Sequence, residues 1–260
     1  MGTVSKALSL LTYFSRSRTE IGLTEMVKLS GINKATVHRL LSELLQHGII
    51  EQTAEKRHYR LGPALPILGS LREAVVPIRE ISKKVLQRIS DLTGETSHLS
   101  LLRNELLHVV SFAYSSRHGT RVTMENGTQI TFHSTSSGLV VLSFSSQDFL
   151  KKMLSKPLQK HTSLTEINSK KIEKKLLSFR KNYLAESISG FELDVHSLAC
   201  PIFDSSRRCI GAVAIAAPVS RMDTSSIKVT TSALRKAAVE LTNSIGGVFP
   251  EDFKNLNFNE

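Results

Sequence analysis

The chain of 260 residues has only two cysteines, Cys200 and Cys209. Two are too few to staple a disulfide scaffold, and their spacing is not that of a zinc site, so no structural metal is expected. An uninterrupted apolar run of about eighteen residues, the minimum for a membrane-crossing helix, is also missing. Met1-Gly2-Thr3-Val4-Ser5 lacks the basic start and apolar block of a secretion signal, and the expectation is a cytoplasmic protein with no membrane partner. Equally absent are a glycine-rich phosphate loop, a metal-binding histidine pair and the strand-to-helix elbow of a serine nucleophile. Nine scattered histidines do not make a site, so no cofactor, no metal ion and no catalytic residue are expected.

What is present is enough apolar sequence, 40% of the residues, to bury the cores of two domains. The formal charge of +11 favours polyanionic partners, but residues 1–76 hold only ten Lys and Arg against six Asp and Glu. Much of the remainder lies between Lys151 and Lys181. There Ile172, Leu176, Phe179 and Tyr183 mark the buried stripe of a helix whose lysines form a solvated face.

The most informative stretch runs from Leu23 to Leu45 and reads as two short helices hinged at Gly31. Thr24 is placed to cap the first helix, and Met26, Val27 and Leu29 give it apolar faces. In the second, Val37, Leu40, Leu41 and Leu44 recur at i, i+3, i+4 and i+7, which pins one face to a core. Asn33 stands at its cap position. Lys34, Ala35, Thr36, His38, Arg39 and Ser42 then look outward, and such a face fits a DNA major groove. Upstream, Val4, Ala7, Leu8 and Leu11 predict a third helix. Downstream, Ile49–Gln52 and His58–Leu61 predict a hairpin whose Lys56, Arg57 and Arg60 are placed to meet phosphate. Helix-turn-helix plus hairpin makes a winged reading head. Within it Arg39 suits either a fork onto guanine or a clamp on phosphate.

Two prolines and two glycines in Leu61–Gly69 mark a boundary, with Leu65, Leu68 and Leu71 allowing a connecting helix. The expected division is 1–62 for the reading head, 63–76 for the linker helix, 77–249 for a second domain and 250–260 for a C-terminal tail. The second domain opens with an amphipathic helix carrying Ile78, Ile81, Val85, Ile89 and Leu92, then changes period. Strands are expected at Ser97–Leu102, Leu106–Phe112, Ile130–His133, Ser197–Phe203 and Cys209–Ala217, and helices near 138–144, 147–154, 169–183 and 225–245. The fold class is α+β, with helices flanking an antiparallel sheet.

Six stretches in order resemble the IclR family of bacterial transcriptional regulators: Val4–Leu8, Asn33–Leu41, Tyr59–Gly62, Leu92–Thr96, His133–Gly138 and Ala199–Asp204. The resemblance implies a winged helix-turn-helix joined to a GAF-like effector-binding domain. It also implies a homodimer or tetramer on double-stranded palindromic promoter DNA, released or tightened by a small-molecule effector, a carboxylate. In the family the effector pocket is lined by the equivalents of Ser136, Ser137 and Gly138, of an acidic segment from Glu186, and of strands holding Cys200, Ala214 and Ala216. A helix start with free N–H groups suits an anion.

This chain departs from the family pattern in three places. The acidic run shrinks to Glu186-Ser187-Ile188-Ser189, a glycine expected before the Cys200 strand is Asp194, and serines on the last strand are Ala214 and Ala216. A buried polar group left unpaired costs roughly 1–3 kcal/mol, so the alanines point to a less polar or larger effector than a two- or three-carbon keto acid. Aromatic acids and sugar-acid derivatives are both open. Packing is the alternative role for the alanines. A competing class is an enzyme with Cys200 as nucleophile and His133 or His196 as base, against which Leu198–Ile202 reads as a buried strand. A regulator that binds DNA without any ligand is the third class.

Overall fold

The structure, a computed structural model, describes residues 2–15, 18–55, 57–75, 78–251 and 253. They form two compact units, residues 1–77 and 78–260.

In the first unit α1 (Thr3–Leu11), α2 (Leu23–Ser30) and α3 (Lys34–Gln46) surround a core of Leu10, Ile21, Met26, Val37, Leu40, Leu41 and Leu44. Ile50 on β1 (Ile50–Gln52) and Tyr59 on β2 (Tyr59–Leu61) close it, and the two strands pair antiparallel. Tyr59 also exchanges backbone hydrogen bonds with Ile21, which ties the hairpin to the start of α2. The α2–α3 turn depends on Gly31, which sits at φ +67°, where a side chain would be strained. α4 (Ala64–Val75) ends the unit.

Two expectations fail here. Leu10, not Leu8, is the buried anchor of α1, and Val4 and Leu8 are 72% and 55% exposed. A nine-residue helix with apolar residues on several sides buries only one of the stripes its sequence offers. Thr24 does not cap α2, because the extended residue before the helix is Gly22 and Thr24 lies in the first turn.

The second unit is a six-stranded antiparallel sheet in the order β5-β4-β3-β8-β7-β6. Its strands are β3 (Thr96–Arg103), β4 (Leu106–Ala113), β5 (Gln129–Ile130), β6 (Ala185–Ile188), β7 (Val195–Phe203) and β8 (Cys209–Pro218). α5 (Ile78–Thr93) and α9 (Thr224–Ser244) pack on one face, and α6 (Ser136–Ser143) lies on the other with α8 (Ser169–Asn182) behind it. α7 (Gln147–Leu154) follows α6. On α5 the buried residues are Ile78, Ser82, Val85, Leu86, Ile89 and Ser90, while Leu92, expected inside, is exposed. The strand expected over Ile130–His133 is shorter, and β6 was not expected at all.

Alternation along β7 and β8 decides what each face carries. Ala199, Ala212 and Ala214 lie under α6 with Leu139 and Val140, small residues that let an all-buried helix sit close to the sheet. At the far end Tyr183, Phe203, Phe249 and Phe253 form an aromatic cluster, so the segment expected as a tail returns at least Phe253 to the core.

Candidate functional site

The outward face of α3 is held by its cap. Asn33 Oδ1 accepts from the Thr36 N–H at 2.9 Å, which satisfies one of the orphan donors of the helix start. Lys34, Ala35, His38, Arg39 and Ser42 are exposed and Thr36 is half-buried. Among the described residues no acidic side chain pairs with Lys34 or Arg39. Ser42 is less available, since its hydroxyl donates to the His38 carbonyl at 2.9 Å.

His38 faces a groove of about 520 Å³ between the start of α2 and the hairpin, lined also by Thr24, Glu25, Gln52, Arg57 and His58. Thr24, failing as a cap, thus stands beside the outward helix. Arg57 occupies the hairpin tip at φ 49°, with its carbonyl taken by the Gln52 amide. Arg60 points outward but is paired with Glu51 at 2.6 Å. Lys56 lies outside the described residues.

In the second unit a cavity of about 320 Å³ opens between the sheet and the first turn of α6, at the lower end of the ~300–1,000 Å³ typical of small-molecule sites. Ser136, Ser137 and Ala216 line it. Thr135 caps the helix by accepting from the Gly138 N–H, and the N–H groups of Ser136 and Ser137 have no intrahelical acceptor. Gly138 itself faces away: a Cβ there would stand 2.2 Å from the Thr131 carbonyl oxygen, so its role is close packing of α6 on the segment before it.

Three further expected residues do not line this cavity, two of them because the pleat turns them away from it. Cys200 is an odd number of residues from Ser197, which does line the cavity, so the pleat turns its thiol to the α9 face. Burial there pushes the thiol up to about 12. Glu186 is paired with buried His196 at 2.7 Å, a contact that holds its carboxyl below the usual range, and the next residue, Ser187, lines the cavity instead. Ala214 is buried in the packing under α6 and is not part of the wall.

The residues that sequence reasoning missed follow from cross-strand register. Ser197 is opposite Ala216, and His98 is opposite Ala214 one pleat further along the same face. His98 Nε2 lies 3.1 Å from Ser137 Oγ, while its Nδ1 and the Ser136 Oγ are buried with no hydrogen-bond partner among the described residues. Burial holds the His98 imidazole neutral, its pKa lowered to about 4. The other walls come from the 122–130 segment, with Met124, Glu125 and Ile130, and from the loop after β6, with Phe191 and Glu192. Asp194, standing where the family pattern has glycine, adopts φ 61°, the left-handed conformation that glycine tolerates best.

Comparison with known proteins bears on both sites. The family model described as "IclR helix-turn-helix domain" matches residues 3–54, and "Bacterial transcriptional regulator IclR C-terminal" matches residues 73–243. The HTH-type transcriptional regulator XynR of Escherichia coli K12 is 28% identical over 253 residues, covering 94% of this chain and 97% of that protein. The crystal structure of an IclR-type transcriptional regulator from Silicibacter sp. TM1040 superposes with a TM-score of 0.92 at 49% identity, covering 96% of this chain and 99% of that one. An IclR homologue from Microbacterium hydrocarbonoxydans, crystallised with 4-hydroxybenzoate, shares the fold at a TM-score of 0.79 and 20% identity over 94% of this chain and 99% of that one.

Proposed function

The chain belongs to the IclR family of bacterial transcriptional regulators, and on that footing we propose that it binds promoter DNA through α3 and the hairpin, and that a small organic molecule in the cavity beside α6 alters that binding. The observation that carries this reading is the pairing, in one chain, of a capped cationic helix face with a separate cavity between the sheet and the first turn of α6. Lys34, Thr36 and Arg39 near the start of α3 read base edges or phosphates, and Lys56, Arg57 and Arg60 hold the backbone. One helix reads only a few base pairs, so the protein acts as a homo-oligomer that sets two heads about 34–36 Å apart. It works in the cytoplasm, where the chromosome is. The ligand-bound Microbacterium homologue supports a small-molecule effector in a fold of this kind. The buried, protonated Cys200 argues against a thiol enzyme.

Genome-wide footprinting of the full chain and of Arg39→Ala tests the DNA half. Discrete promoter sites with inverted repeats are expected, with occupancy lost in the variant. If the purified protein bound no promoter at moderate salt and Arg39→Ala changed nothing in cells, the reading would be wrong.

A further inference from the structure

Two imidazoles decide the charge of the groove beside α3. Among the described residues of its wall the fixed charges are Arg57 at the hairpin tip and Glu25 on α2, one of each sign, and Glu25 also meets Arg18 at 3.5 Å. The other titratable groups there are His38, His58 and the buried phenol of Tyr59. Lys34 stands one turn before His38 on α3 and adds a positive charge outside the wall. His58 is held in place, since a Cβ on Gly22 would stand 3.1 Å from its Cδ2 and Nε2. His38 projects from the exposed face of α3 that carries Lys34 and Arg39. Among the described residues neither ring makes a hydrogen bond or an ion pair, whereas His98, His133 and His196 in the second unit each engage a partner.

Imidazole is the side chain whose charge ordinarily changes between pH 5 and 8. With both rings neutral, Arg57 and Glu25 cancel and the wall has little to offer an anion. With both protonated the wall gains two positive charges, and a phosphate beside it favours that form. We propose that this groove seats a phosphate of the DNA backbone against protonated His38 and His58, so that promoter binding takes up protons and tightens as pH falls. The proposal rests on the reading of α3 and the hairpin as the DNA-binding face. The sign follows from linkage: acidification favours the state that binds more protons, which here is the complex. Each imidazole that gains its proton on binding contributes up to about tenfold in affinity per pH unit.

The test is fluorescence anisotropy of the full chain on a promoter fragment that it occupies in footprinting, at pH 8.0, 7.0 and 6.0 and over a range of KCl concentrations. The parent's affinity should rise about tenfold or more between pH 8.0 and 6.0, with a steeper salt dependence at pH 6.0 because more phosphate contacts are charged. In the double variant His38→Gln, His58→Gln the rise should shrink to about threefold or less. His38→Gln and His38→Arg alone change an exposed side chain outside the core, and each should remove about half of the rise on a logarithmic scale. Equal affinity at the three pH values in a parent that binds its promoter overturns the proton linkage and leaves the DNA reading standing. A rise undiminished in all of the variants overturns the linkage at this groove as well. If no promoter is bound at any of these pH values, the linkage and the DNA reading fall together.

Discussion

His98 reaches from the sheet to the first turn of α6, its Nε2 3.1 Å from Ser137 Oγ. The contact ties the cavity floor to its lid, and burial keeps the ring neutral, with its pKa lowered from 6.5 to about 4. The unfolded chain therefore binds the proton first as pH falls. Between pH 6.5 and 4 it holds more protons than the folded chain, so stability is full above pH 6.5 and declines on acidification, on the order of 1.4 kcal/mol per pH unit from this group. Urea denaturation at pH 7.5 and 5.0 should show the loss, and His98→Gln should shrink it. An equal loss in the variant would assign the acid sensitivity elsewhere.

Asn33 offers a way to separate the folding of α3 from the DNA contact proposed for it. Removing the cap in Asn33→Ala is expected to cost about 1 kcal/mol of stability in denaturation. Asn33→Asp keeps a capping oxygen and adds a negative charge at the helix start, so stability should be retained while promoter affinity, read by fluorescence anisotropy, falls. Unimpaired binding by the aspartate variant would remove Asn33 from the DNA-facing surface.

Cys200 tests the phase of β7. With its thiol buried and pushed up to about 12, it should react with a thiol reagent such as DTNB only after unfolding. Cys200→Ala should leave promoter binding unchanged and cost about 1 kcal/mol through the lost packing. Rapid labelling of Cys200 in the native chain would mean that the strand presents it to the cavity.

α3 was legible because three independent signals coincide there: apolar spacing, a capping Asn33 and the turn glycine Gly31. α7 appears with the bounds its sequence predicts, Gln147–Leu154. The cavity was legible only at Ser136, Ser137 and Ala216. β7 is covered by helices on both faces, so Leu198–Ile202 is apolar throughout and shows no alternation to say which residues face inward. Its phase comes from the register Ser197 to Ala216, which no single strand reveals. β6 has four residues at a sheet edge with no apolar alternation, too little pattern to separate it from a loop. His98 was overlooked because an isolated histidine in a strand carries no motif, and its partner Ser137 lies 39 positions away.

Gly138 fixes where α6 begins relative to the sheet, and this can be broken with one methyl group. A Cβ at this position would stand 2.2 Å from the Thr131 carbonyl oxygen and 2.4 Å from Phe132 Cα, both backbone atoms that no rotamer change can move. Gly138→Ala must therefore lift the first turn of α6 or displace the 131–132 segment, and overpacking of this kind typically costs about 1–3 kcal/mol. Lifting the turn carries Ser136 and Ser137 with it, since both share it, and displacing Thr131 disturbs the Thr135 hydroxyl that donates to its carbonyl and caps the helix. The expected outcome is lower stability of the second unit in urea, with the Asn33-capped first unit unfolding as before. A compound that stabilises the parent chain should also bind more weakly. If Gly138→Ala were as stable as the parent, the close seating of α6 on Thr131 and Phe132 would be wrong, and with it the geometry of the cavity wall at the first turn of α6.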